Sequence, residues 1–130
     1  IREDVGAWMK ENPQGILILD FIPKTIYIHE IGLFEPSIVT VVLELMKKKI
    51  DVIGCSIELT STGKSFGEMA TLLTLATEVI KLTTRCRCCE ERATRTQGLV
   101  AVDKEIVVLS EEEKHKMYEP RCLNCWTPVF

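Results

Sequence analysis

Apolar and polar positions along the chain change period several times, and each change marks an element. Residues 2–11 place Val5, Trp8 and Met9 on one side of a helical turn before Asn12-Pro13 ends it, which predicts a short amphipathic helix. Residues 16–20 and Thr25–His29 are β-branched or apolar runs separated by Pro23. The second alternates, Ile26 and Ile28 against Tyr27 and His29, and reads as a strand. From Pro36 to about Lys49 the apolar residues Ile38, Val41, Val42, Leu45 and Met46 recur at helical spacing. Lys47-Lys48-Lys49 then complements the negative end of that helix. Residues 50–57 read as a buried-type strand, 58–65 as a polar loop, 67–76 as a helix and 78–83 as a further strand.

This strand–helix–strand order with short joints predicts an α/β class, a partial parallel sheet with helices, over residues 1–84. Beyond residue 84 the pattern changes. Residues 85–130 hold two cysteine pairs, two short strand candidates (92–97 and 105–109) and an acidic stretch at 111–113. No second helical layer is evident there, so this part has little core to stabilise it and calls for a metal instead.

Composition adds little to the fold but excludes several roles. Hydrophobic residues make up 46% and charged residues 27%, ordinary for a globular chain, and the net charge of −3 gives no overall attraction for nucleic acid or anionic membrane. The longest nearly apolar run, residues 37–46, is far too short to span a bilayer and contains Glu44. No N-terminal stretch has the order of a signal peptide. Six cysteines without secretory signs therefore point to metal or free thiols in a reducing, cytoplasm-like compartment.

Cys86-Arg87-Cys88-Cys89 and Cys122-Leu123-Asn124-Cys125 each contain C-x-x-C, a spacing that turns two thiolates towards one ion. Two such hooks complete a tetrahedral set, and soft thiolates favour zinc over magnesium or calcium. Lys81, Arg85, Arg87 and Arg92 help keep the thiols deprotonated. Cys88 could replace a neighbour as ligand, although the paired spacing selects Cys86, Cys89, Cys122 and Cys125. Cys55, on an expected core strand, reads as a small packed hydrophobe. A closed four-cysteine site leaves no position for substrate and is structural.

From about Ile26 onwards the chain resembles the small cytosolic (type II) thymidine kinases. The resemblance rests on Gly63-Lys64-Ser65-Phe66-Gly67, on Leu72 through Lys81-Leu82-Thr83-Thr84-Arg85-Cys86, then on Cys89 and Ala93-Thr94-Arg95-Thr96. Tyr118 lies four residues before Cys122, where the family keeps a tyrosine before its second hook. The resemblance implies a partial P-loop-kinase-like sheet over 1–84. It also implies a zinc-ribbon-like domain over 85–130 whose lasso, residues 98–117, closes over thymine. It further implies Phe66, Thr96 and Tyr118 as substrate-binding residues and Glu30 as the family's general base on the nucleoside 5′-hydroxyl. A carboxylate at a strand's carboxyl end suits chemistry in a parallel sheet.

Several positions depart from that pattern. His29 stands where an aspartate would help hold magnesium, and neutral imidazole is a poor ligand for that hard cation. Gly32 replaces a glutamine, and Ser61 replaces an aromatic residue against thymine. No phosphate-binding loop is found before His29, so Mg2+ and ATP are expected only with a further N-terminal half. Gly63-Lys64-Ser65 resembles the tail of such a loop, but its first glycine would fall at Glu58. The expectation is a catalytically degenerate, zinc-stabilised structural or interaction subunit, as a homo-oligomer or within a larger complex, that retains a place for thymidine or its nucleotide. The alternative is a fragment of an active thymidine kinase. Nucleic-acid binding ranks lowest. Residues 81–97 carry five basic and two acidic side chains, but residues 103–119 carry three lysines against six acids.

Overall fold

The computed structural model of the chain describes residues 23–100 and 110–128. The helix expected over 2–11, the run at 16–20 and the strand expected at 105–109 lie outside the described residues. By spatial clustering the chain divides into two compact units. One comprises Ile1–Glu58 with Gly67–Leu75, the other Leu59–Phe66 with Ala76–Phe130. The hairpin that begins at Leu59 and the segment from Ala76 group with the cysteine-bearing part.

In the first unit, β1 (Thr25–His29) and β2 (Asp51–Cys55) pair in parallel, with Thr25 opposite Asp51 and His29 opposite Cys55. Parallel neighbours need a crossover, and α1 (Ile38–Lys47) supplies it after a 3₁₀ turn at Ile31–Leu33. Of the residues read at helical spacing, Ile38, Val41, Val42 and Leu45 are buried, as are Ile26 and Ile28 of β1, whereas Met46 is exposed. The opposite parity of the strands is open, and Tyr27 and Ile53 are half exposed.

The end of α1 is closed by backbone geometry. Lys49 takes a left-handed φ of 59°. Its N–H donates to the Met46 carbonyl (2.9 Å), while the N–H of Ile50 donates to that of Leu45 (3.1 Å). The paired bonds and the burial of both Ile50 and Leu45 are the features of a Schellman ending. A lysine has a Cβ where glycine would have none, so Lys49→Gly is expected to stabilise this unit by about 0.5–1 kcal/mol. Urea denaturation with an unchanged slope and a raised midpoint would show it.

A second short helix, α2 (Met69–Leu75), buries Met69 and Leu72. Gly67 leads into it with a φ of 52°, and a Cβ there would fall on the carbonyl oxygen of Gly32. That carbonyl is in the same unit, so the approach of two backbones fixes glycine at this position.

Among the described residues, the second unit contains two small antiparallel sheets. In one, β3 (Thr84–Arg85) pairs with β4 (Arg92–Ala93); in the other, β5 (Arg95–Gly98) pairs with β6 (Tyr118–Arg121). The strand expected at 78–83 does not form. Val79, Ile80 and Leu82 are exposed, and only Thr84 and Arg85 find a ladder partner. Strand propensity without a neighbouring strand leaves backbone donors better served by water. The expected strand at 92–97 is instead split in two, each half serving a different sheet.

Residues 111–113 open a helix, α3 (Glu111–Met117), where only an acidic stretch was expected. Ser110 Oγ accepts from the Glu113 N–H at 3.3 Å, and the Glu113 carboxylate accepts from the Ser110 N–H at 2.9 Å. This capping box, with Lys114 on Glu111 and Lys116 on Glu112, forms a helix without any buried residue. Part of the expected lasso is therefore helical; residues 101–109 of it lie outside the described residues.

Candidate functional site

The first hook is the turn between β3 and β4. The Cys86 N–H donates to the Glu91 carbonyl (2.8 Å), and the Glu90 N–H returns to the Cys86 carbonyl (2.9 Å). Glu90 closes the turn with a left-handed φ of 61°. The second hook follows β6, where the N–H groups of Cys125 and Trp126 both donate to the Cys122 carbonyl, at 3.2 and 3.0 Å.

Backbone bonds bring the hooks together. Arg87 N–H donates to the Pro120 carbonyl (3.1 Å) and Thr94 N–H to that of Arg121 (3.2 Å). The Arg121 guanidinium holds the second hook from outside, donating Nε–H to Glu119 (2.7 Å) and Nη1–H to the Cys125 carbonyl (3.1 Å).

The sulfurs of Cys86, Cys89, Cys122 and Cys125 all lie within 4.8 Å of one another. Cys89 is 3.7 Å from Cys122 and 3.6 Å from Cys125. None of the cysteines is in a disulfide. A tetrahedron of thiolates about 2.3 Å from zinc has edges of about 3.8 Å, so this donor set fits the ion. Buried Cys86 and Cys122, with Ala93 and partly buried Cys125, also form an apolar cluster.

The thiols of Cys86 and Cys125 are shifted in opposite directions. The backbone N–H of Cys122, aided by those of Cys88 and Cys89, lowers the Cys86 thiol to about 6. A group depressed in this way stabilises the fold fully above the ordinary thiol range and loses that contribution as pH falls through about 6. Donation of its S–H towards the Cys122 and Cys89 sulfurs, with burial, holds the Cys125 thiol above its usual range. One thiol ionises readily and a neighbour resists, because the sulfurs share hydrogen bonds within the cluster.

The remaining expected site residues fall in two places. Glu30 follows β1 in the first unit with a left-handed φ of 52°. Thr96 lies opposite Pro120 and Gly98 opposite Tyr118, which puts Thr96, Gly98, Tyr118 and Pro120 on one face of the β5–β6 sheet. A Cβ at Gly98 would meet Ser61 Oγ at 3.4 Å, so Ser61 lies against that same face. Phe66 is buried, and Cys88 is exposed beside the cluster. Cys55, expected as a packed core residue, is exposed instead: β2 buries little of its length, and His29 is its cross-strand neighbour.

The hairpin containing Gly63 resolves the phosphate-loop question locally. Leu59 bridges to Ser65, and the Thr60 N–H donates to the Lys64 carbonyl at 2.8 Å. Gly63, at a φ of 83°, lies under Trp126, whose Cη2 would be 2.9 Å from any Cβ added there. The segment is a hairpin tip packed on the residue after the second hook, not a loop opening a helix. Trp126 also donates its indole N–H to the Thr96 carbonyl (3.1 Å). Buried Gln97 clamps the Thr127 backbone with bonds of 2.8 Å each way. Neither role was read from the sequence. The tryptophan after the second hook was a usable signal; nothing marked Gln97.

A family model described as thymidine kinase matches residues 19–126. A thymidine kinase of Coprothermobacter proteolyticus is 39% identical over 90 residues, which cover 69% of this chain and 46% of that protein. The chain thus spans less than half the length of this curated relative.

Proposed function

Since this chain belongs to the thymidine kinase family, we propose that it is a zinc-held, nucleoside-binding part of such a protein that does not itself transfer phosphate. The observation that carries this reading is the joining of the two hooks to the β5–β6 face, through Arg87 to Pro120, Thr94 to Arg121 and Trp126 to Thr96. Cys86, Cys89, Cys122 and Cys125 would hold the zinc ion. Its charge would neutralise the thiolates and fix the strands carrying Thr96 and Tyr118, which together with Ser61 and Phe66 would form the thymidine site. The first unit then corresponds to part of a kinase-like sheet and the second to the lasso domain.

His29 supports the non-catalytic side of this reading. Its Nδ1 lies 3.4 Å from the Cys55 sulfur, so an imidazole–thiol pair stands where the family resemblance puts a magnesium carboxylate. Those donors do not fit magnesium, which selects oxygen. Phosphoryl transfer depends on charge neutralisation and positioning, and no such step is assigned to these residues. The chain would serve as a structural or interaction subunit, in a homo-oligomer or a larger complex. Among the described residues no helix is long and apolar enough to cross a membrane.

Calorimetric titration of the zinc-loaded protein with thymidine should show binding, weakened about tenfold or more by Tyr118→Ala. ATP and magnesium should yield no thymidine phosphate. Absence of binding would overturn the nucleoside site. The shared length of less than half the curated relative favours a second reading, part of an active phosphotransferase. ATP-dependent phosphorylation of thymidine, abolished by Glu30→Gln, would establish it.

A further inference from the structure

Register places His29 and Cys55 opposite each other at the carboxyl ends of two parallel strands, on the same exposed face of the sheet. Cys55 Sγ is 3.4 Å from His29 Nδ1, within hydrogen-bond reach for sulfur. The other ring nitrogen, Nε2, is 3.9 Å from Glu30 Oε1. That is too long for a hydrogen bond, so the carboxylate lies beside the ring without bonding to it. A thiol, a base within reach of its proton and an anion on the base's far side are the parts of an activated nucleophile. Access is open, because the His29 side chain is 60% exposed and Cys55 itself is exposed.

We propose that Cys55 is a reactive thiol, deprotonated by His29, which forms mixed disulfides with small disulfide compounds. The Cys55 proton passes to His29 Nδ1, and the thiolate attacks one sulfur of the reagent. A new S–S bond forms to Cys55 as the reagent's own S–S bond breaks. Its electron pair leaves on the second sulfur, which takes the proton from His29. Cys55 is oxidised to a disulfide, and half of the reagent is reduced to a thiol. This chemistry is separate from the proposed nucleoside site and does not rest on it.

The test uses the zinc-loaded protein and oxidised glutathione at neutral pH, with adducts located by peptide mass and Cys88, also exposed, as an internal reference. Cys55 should be modified about tenfold faster than Cys88, and His29→Gln should lower the Cys55 rate about tenfold without changing the circular dichroism spectrum. The advantage of Cys55 should also vanish in denaturant, a check that needs no variant. Equal rates at the two cysteines, an unchanged rate in His29→Gln, or an advantage that survives denaturation would each overturn the proposal.

Discussion

Replacing Cys86 with serine is expected to abolish metal retention and unfold the second unit. Cys86 is 1% exposed and sits with Cys122 and Ala93 in an apolar cluster of that unit. Serine would remove a thiolate donor and bury a hydroxyl among sulfurs. The same unit exposes Ile80, Leu82 and Leu123, so little apolar burial remains to compensate. Where metal binding supplies the folding energy, loss of one ligand or of the ion has the same outcome. Elemental analysis should find about one zinc per wild-type chain and a small fraction of that in Cys86→Ser. Chelation of the wild type should alter the fluorescence of Trp126, which is tied to Thr96 and follows the second hook. Cys88→Ser, by contrast, should leave zinc content unchanged. Full zinc retention by Cys86→Ser would show that the four-cysteine assignment is wrong.

Gly67→Ala is expected to produce the largest effect in the first unit, a destabilisation of about 2–4 kcal/mol. Two causes combine. The φ of 52° is costly for any residue with a Cβ, and the added methyl would meet the Gly32 carbonyl oxygen, a backbone atom that cannot rotate away. Relief would require α2 or the turn after β1 to shift. Urea denaturation followed by circular dichroism would measure the loss, with Glu68→Ala as a control expected to change stability by no more than about 0.5 kcal/mol. If Gly67→Ala matched that control, the close approach of residues 67 and 32 would be refuted.

The elements legible in the sequence are those with a strong period or strong punctuation. The stripe from Ile38 to Leu45 and the alternation through Ile26 and Ile28 are both buried as expected. Residues 78–83 show the limit of such reading. Their β-branched and apolar side chains satisfy a local preference, but a strand exists only if another chain segment pairs with it. Helix α3 fails in the opposite sense, since it has no apolar stripe and depends on Ser110, Glu113 and exposed ion pairs. Its Ser110-Glu111-Glu112-Glu113 signature was present but overshadowed by the charge run.

By itself, the sequence determined the α/β order of the first part and the two C-x-x-C hooks, because period and spacing are properties of neighbouring residues. It also carried the family resemblance, now supported by a match over residues 19–126. Only the tertiary structure decided that the hooks converge, that Ser61 and Gly98 meet beside Thr96 and Tyr118, and that His29 faces Cys55. Each of these depends on residues far apart in sequence being brought together by backbone ladders. No local pattern specifies a distance across such a ladder, which is fixed only when the strands pair.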